Sequence, residues 1–87
     1  MKQSEITITN ASGLHARPAA NVMKTAKRYQ SDIRIIKDGR SGNAKSLVEI
    51  LNLDISRGDT VTLTCQGEDE EDALDGVKSM MENDFEG

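Results

Sequence analysis

The residues with the most chemistry in this chain stand together in Gly13-Leu14-His15-Ala16-Arg17-Pro18-Ala19-Ala20, which holds its single histidine and its single proline. A neutral imidazole is a competent nucleophile, and the guanidinium two residues on is a planar, permanently charged donor suited to phosphate oxygens. Proline is favoured in the first turn of a helix, where its missing N–H leaves no bond unmade. Ala19, Val22, Met23 and Ala26 follow at helical spacing, with Tyr29 just past the expected end. The spacing predicts a helix starting near Ala16, entered by a tight turn at Gly13, with His15 at the N-cap or one residue before it. The N–H groups of such a helix end, with the positive pole of its macrodipole, form an anion site. A nucleophile, an anion cradle and a cation within three residues are chemistry for a phosphoryl group. Alone, the motif also fits a capping histidine beside a solvated arginine, so the rest of the chain must decide.

The elements that would position this stretch are legible along the chain. Glu5-Ile6-Thr7-Ile8-Thr9 alternates apolar and polar and predicts a half-buried strand, with Asn10 to Gly13 as the loop into the helix. The helix should close near Lys27-Arg28, where cations complement the C-terminal dipole. Asp32–Lys37 is a second strand, Asp38-Gly39 a hairpin turn, and Arg40–Asn43 a short third strand thin in apolar content. Ser46 with Glu49 three residues later is the pattern of a capping box. Leu47, Val48, Ile50, Leu51 and Leu53 are then apolar over more than one face of a short helix. A core this small cannot hide them all, so Leu47, Val48 and Leu51 are read as a partner-docking surface. Gly58-Asp59 turns the chain into Thr60–Gln66, with Val61, Leu63 and Cys65 on one face, and Gly67 ends that strand. Asp69 is placed to cap a last helix with Glu70, Glu71 and Asp72 at its positive end. Ala73, Leu74, Val77, Met81 and Phe85 form its apolar stripe, and Gly76 implies either a close approach of another segment or a weaker helix.

The order is therefore β-α-β-β-α-β-α, an α+β chain of 87 residues with helices on one side of an antiparallel sheet, read as one domain over 1–87. No apolar run is long enough for a transmembrane or signal segment, which predicts a soluble, cytoplasmic protein without direct membrane insertion. One cysteine and no Cys/His cluster predict neither a disulfide nor a metal site, and no cofactor motif is present. A single Tyr, a single Phe and no Trp argue against nucleic-acid stacking. The net charge of −4 hides an asymmetry: residues 1–48 carry +6 and residues 49–87 carry −10. The basic half contains His15, and its field would draw an anionic or phosphorylated partner.

Taken end to end, the sequence resembles the HPr family, the histidine-containing phosphocarriers of the phosphoenolpyruvate-dependent sugar phosphotransferase system. Two separate signatures carry the resemblance: Gly13-Leu14-His15-Ala16-Arg17-Pro18-Ala19, and Asn43-Ala44-Lys45-Ser46 with Gly67-Glu68-Asp69-Glu70 and an acidic last helix. The resemblance implies an HPr-like open-faced β-sandwich, an antiparallel four-stranded sheet of order 1-4-2-3 with three helices on one face. It implies a carrier, not an enzyme, that accepts a phosphoryl group on Nδ1 of His15 from enzyme I and yields it to enzyme IIA of sugar permeases. Arg17 and the backbone N–H groups of Ala16 and Arg17 would neutralise the phosphate, and Ser12 would help orient the ring. Ser46 matches the family's regulatory serine, the target of an HPr kinase/phosphorylase, with a catabolite-control regulator as a further partner. A monomer is implied. The chain departs from the family's usual Gly or Lys at position 49, where Glu49 puts a carboxylate beside Ser46.

Two other readings use the same residues. A paralogue in a nitrogen-related or regulatory phosphorelay would keep His15 and dispense with sugar uptake. An interaction module acting only through Ser46 would have no use for the histidine. A stand-alone hydrolase is least supported, because no second acid or base accompanies His15.

Overall fold

The computed structural model describes residues 1–9, 13–14 and 16–82. Its elements are β1 (Lys2–Thr7), α1 (Ala16–Ala26), β2 (Asp32–Lys37), β3 (Arg40–Asn43), α2 (Leu47–Asn52), β4 (Thr60–Gln66) and α3 (Glu70–Glu82). The four strands form one antiparallel sheet in the order β1-β4-β2-β3, with three helices on one face. Alternation fixes the faces: Ile6, Ile33, Ile35, Val61, Leu63 and Cys65 point inward and are buried, while Thr60, Thr62, Thr64 and Arg34 line the open side. The helices close the core with Ala19, Val22, Ala26, Ile50, Ala73, Val77 and Met81. Burial raises the Cys65 thiol to about 11, so it remains a neutral core group.

Several expectations shift by a few residues, each for a tertiary reason. The first strand runs Lys2–Thr7 instead of 5–9, because the polar residues Lys2 to Ser4 still pair with Cys65 to Leu63. Ile8 leaves the ladder to bond the β4 turn, donating to Asp59 O at 2.9 Å and accepting from Gly58 N at 2.8 Å. Helix α1 ends at Ala26, and Arg28 and Tyr29 tighten into i→i+3 bonds. Asp69 does hold the N-cap position, its carbonyl accepting from Ala73 N at 2.8 Å, but its carboxylate does not cap α3. It accepts instead from Gln30 N at 2.8 Å, Ser31 N at 2.9 Å and the Ser31 hydroxyl, tying the α1–β2 connection to the head of α3. The Ser31 hydroxyl and the Gln30 N–H hold this carboxyl below its ordinary 3.8. A depressed carboxyl stabilises the fold above the ordinary value, and that contribution is lost as pH falls through the folded one.

Two buried approaches explain residues with no apolar signal. Gly42, on the inner side of β3, is where α2 rests, with space for an added Cβ limited by Glu49 O and Leu53 Cδ1, both 3.1 Å away. Gly76 faces the Tyr29 ring, and a Cβ there would overlap its hydroxyl. Close approach, and not a weakened helix, is therefore what Gly76 serves. Phe85 lies outside the described residues.

Candidate functional site

The lead-in to α1 is built by contacts from the far side of the sequence. Gly13 is buried at φ +66°, and a Cβ on it would stand 2.5 Å from Ile55 O and 2.8 Å from Ser56 Cα. Only glycine fits both the angle and the space. Leu14, also buried, donates its N–H to Ile55 O at 2.9 Å. Ala16 and Arg17 are the first two helical residues and both are exposed, while Pro18 and Ala19 turn into the core. Pro18 is thus the third helical residue, still within the turn where no intrahelical N–H bond is lost. No acidic residue stands in this first turn. Ser12 and His15 lie outside the described residues.

The seat under Gly13 and Leu14 is the turn from Ile55 to Asp59, read from the sequence only as a turn at Gly58-Asp59. Asp59 Oδ2 accepts from Ser56 N at 2.8 Å and meets Lys37 Nζ at 3.0 Å. The Ser56 N–H and then the Lys37 ammonium hold its carboxyl below the ordinary range. Periodicity could not have found this seat, because its link to residue 13 is a backbone contact.

The second signature forms the head of α2. Ser46 is the N-cap, half-buried, and its Oγ accepts from Glu49 N at 3.3 Å. The capping box is half closed. The Ser46 N–H that Glu49 would accept already donates to Asn43 O at 3.0 Å, so Glu49 Oε1 takes Asn43 N at 2.8 Å instead. Of the apolar run, Ile50 and Leu53 are buried and Leu47 is half-buried against the core, whereas Val48 and Leu51 are 66% and 38% exposed. The other end of α2 is held by the β2–β3 hairpin: Arg40 donates to the carbonyls of Asn52 and Leu53, and Lys37 to that of Asp54. Cations at that end complement the dipole.

The two helices run antiparallel. The head of α1 sits by Ile55, beyond the end of α2, while Lys45 Nζ, just ahead of α2, donates to Tyr29 O at 2.7 Å past the end of α1. Ser46 and the head of α1 therefore lie at opposite ends of the pair, about 16 Å apart by the length of α1. The exposed cations Arg17 and Lys24 lie on α1, and the exposed Lys27 and Arg28 follow just past its end. Among the described residues no group of three or more His, Cys, Asp or Glu is arranged to hold a metal ion, and no helix is long and apolar enough to cross a membrane.

The family model described as "PTS HPr component phosphorylation site" matches residues 2–83. The chain belongs to the HPr family. The phosphocarrier protein HPr of Buchnera aphidicola subsp. Acyrthosiphon pisum is 44% identical over 81 residues, covering 93% of this chain and 95% of that protein. The HPr-like protein Crh of Bacillus subtilis is 39% identical over 84 residues, covering 97% and 99%. The crystal structure of HPr-C-His from Thermoanaerobacter tengcongensis superposes with a TM-score of 0.95 at 41% identity, over 100% of this chain and 98% of that one. Strand order, helix placement and the two signatures agree with this HPr membership, and the chain is a phosphocarrier of the phosphotransferase system family.

Proposed function

We propose that this HPr-family protein carries a phosphoryl group on His15, taken from enzyme I and passed to enzyme IIA. The observation that carries the reading is the head of α1. Leu14 is pinned to Ile55, the helix begins at Ala16, and residue 15 falls between them, ahead of an acid-free first turn holding exposed Arg17. The neutral imidazole Nδ1 attacks phosphorus, and the bond from phosphorus to the donor breaks with its electron pair staying on the donor. The helix-end N–H groups of Ala16 and Arg17, with the Arg17 guanidinium, stabilise the charge on the phosphoryl oxygens, and Ser12 orients the ring. The N–P bond formed is labile enough for transfer onward. All of these parts lie on one chain, so the carrier acts as a monomer, in the cytoplasm.

Incubation with phosphoenolpyruvate and enzyme I, read by intact mass, should add one acid-labile phosphate to the wild type and none to His15→Ala. Labelling of His15→Ala would overturn the assignment. Arg17→Ala should leave the melting temperature nearly unchanged and slow transfer by about tenfold or more, the loss of one charge-assisted contact of about 1.5–3 kcal/mol. An unchanged rate at subsaturating enzyme I would remove Arg17 from the mechanism.

A second, regulatory reading is favoured by the likeness to Crh over almost the whole chain. In it Ser46 is phosphorylated by HPr kinase/phosphorylase, and Val48, Leu51 and the edge of Leu47 dock a catabolite-control regulator. Phosphorylation from ATP and that kinase without onward transfer from His15 to enzyme IIA would favour this reading over sugar uptake.

A further inference from the structure

Lys37 ends β2 on the side that Ile33 and Ile35 send into the core, because residues two apart in a strand share a face. Its ammonium cannot follow them inward, so the flexible stem carries the charge to polar groups instead. It finds two, on different segments. Lys37 Nζ donates to Asp54 O, just past α2, and meets Asp59 Oδ2 at 3.0 Å in the turn before β4. This pair is sheltered, its side chains 14% and 32% exposed, whereas each of the other three ion pairs among the described residues leaves one side chain at least half exposed. A sheltered pair is screened less by water and salt, so it holds its partners more firmly. One cation thus closes residues 54 to 59 into a loop. Within it Asp59 Oδ2 also accepts from Ser56 N at 2.8 Å, and Ser56 O accepts from Asp59 N at 3.0 Å. Ile55 and Ser56, against which Gly13 and Leu14 rest, stand between the clamped ends. Arg40, paired with Lys37 across the hairpin, provides the contrast: among the described residues it reaches Asn52 O and Leu53 O, at the end of α2 alone.

We propose that Lys37 is a positioning residue of the phosphocarrier, holding the first turn of α1 in place through the loop of residues 54 to 59. The inference rests on the carrier reading. Lys37 fixes both ends of the loop, the loop presents Ile55 O to the Leu14 N–H, and two residues after Leu14 the helix opens at Ala16 and Arg17. Donors that need no rearrangement stabilise developing charge best, so a loosened seat slows the chemical step more than it weakens docking. Lys37 plays its part through the loop, at a distance from the groups it positions.

Steady-state transfer from enzyme I, at a temperature where every variant is folded, compares wild type, Lys37→Met, Lys37→Arg, Asp59→Asn and the double variant Lys37→Met/Asp59→Asn. Lys37→Met should lower kcat about three- to tenfold with KM within about twofold, and Lys37→Arg should restore most of it. Asp59→Asn changes the net charge the opposite way but opens the same clamp, so it should also lower kcat. The double variant should be no worse than the worse single one, as for two residues acting as a unit. Amide exchange at Leu14, measured against core amides of β4 in the same variant, should speed up about tenfold in Lys37→Met and stay near wild type in Arg40→Met. An unchanged kcat with a lowered melting temperature makes Lys37 a stabilising residue only and overturns the proposal. Opposite effects of Lys37→Met and Asp59→Asn on kcat overturn it too, since charge and not the clamp would then be acting. So does a Leu14 exchange that is unmoved, or equally accelerated in Arg40→Met. A wild-type chain that takes no phosphate overturns the carrier reading and the role in transfer with it, while Leu14 exchange still decides whether Lys37 fixes the helix head.

Discussion

The heads of α1 and α2 are two helix starts of the same chain, each associated with a residue proposed to take a phosphate, and they are built by opposite means. The α1 head is set from outside. Gly13 and Leu14 are locked onto Ile55 and Ser56, and the first turn contains no acid and an exposed Arg17. The α2 head is set from inside. Ser46 caps its own helix through Glu49 N, and Glu49 already puts a carboxylate in the first turn. The first turn of α1 holds no acid and an exposed arginine, whereas the head of α2 is already served by a hydroxyl and an acid. Two helix starts of one chain are thus fixed by different physics, one by a distant backbone seat and the other by its own cap.

The largest effect that could break this contrast is Gly13→Ala. A Cβ at φ +66° against Ile55 O and Ser56 Cα forces the seat apart, and stability should fall by about 2 kcal/mol or more in urea unfolding. A loss below about 0.5 kcal/mol would mean that the α1 head does not depend on its tertiary seat. At the other head, Ser46→Ala removes only a local cap and should cost about 1 kcal/mol. Ser46→Asp should preserve stability to within about 0.5 kcal/mol and raise the KM of enzyme I for the carrier, since its charge lies on the patch of Val48 and Leu51. Glu49→Gly in that background should enlarge the KM effect, because the resident carboxylate no longer blunts the added one. Identical constants for wild type, Ser46→Asp and the double variant would leave Ser46 as a cap and nothing more. The smallest effect is a gain. Asp54 ends α2 at φ +54°, a conformation glycine adopts freely, so Asp54→Gly should stabilise by about 0.5–1 kcal/mol without altering transfer. A loss of stability would show that the Asp54 side chain holds α2 in a way its backbone angle does not reveal.

Features under short-range control were legible in the residues alone. The 32–37 strand, the Asp38-Gly39 hairpin, the inward face of β4, the Ser46 cap and the start of α1 at Ala16 all follow from periodicity, turn chemistry and capping within a few residues. The strand order 1-4-2-3 was expected from the resemblance alone, and the sheet has it. Where several local answers were open, a distant segment chose among them. Leu53 and Ile50 went inward while Val48 and Leu51 stayed out, because only one face of α2 can rest on Gly42 and the core. The Asp69 carboxylate went to residues 30 and 31 instead of its own helix, because two backbone N–H groups and a hydroxyl from the α1–β2 connection arrive there together. The polar start of β1 became strand because β4 offered it a ladder. Above all, the seat of the α1 head could not be read from residues 13 to 20. It is supplied by Ile55 and Ser56, whose contacts are backbone on backbone, and such contacts leave no side-chain pattern in a sequence.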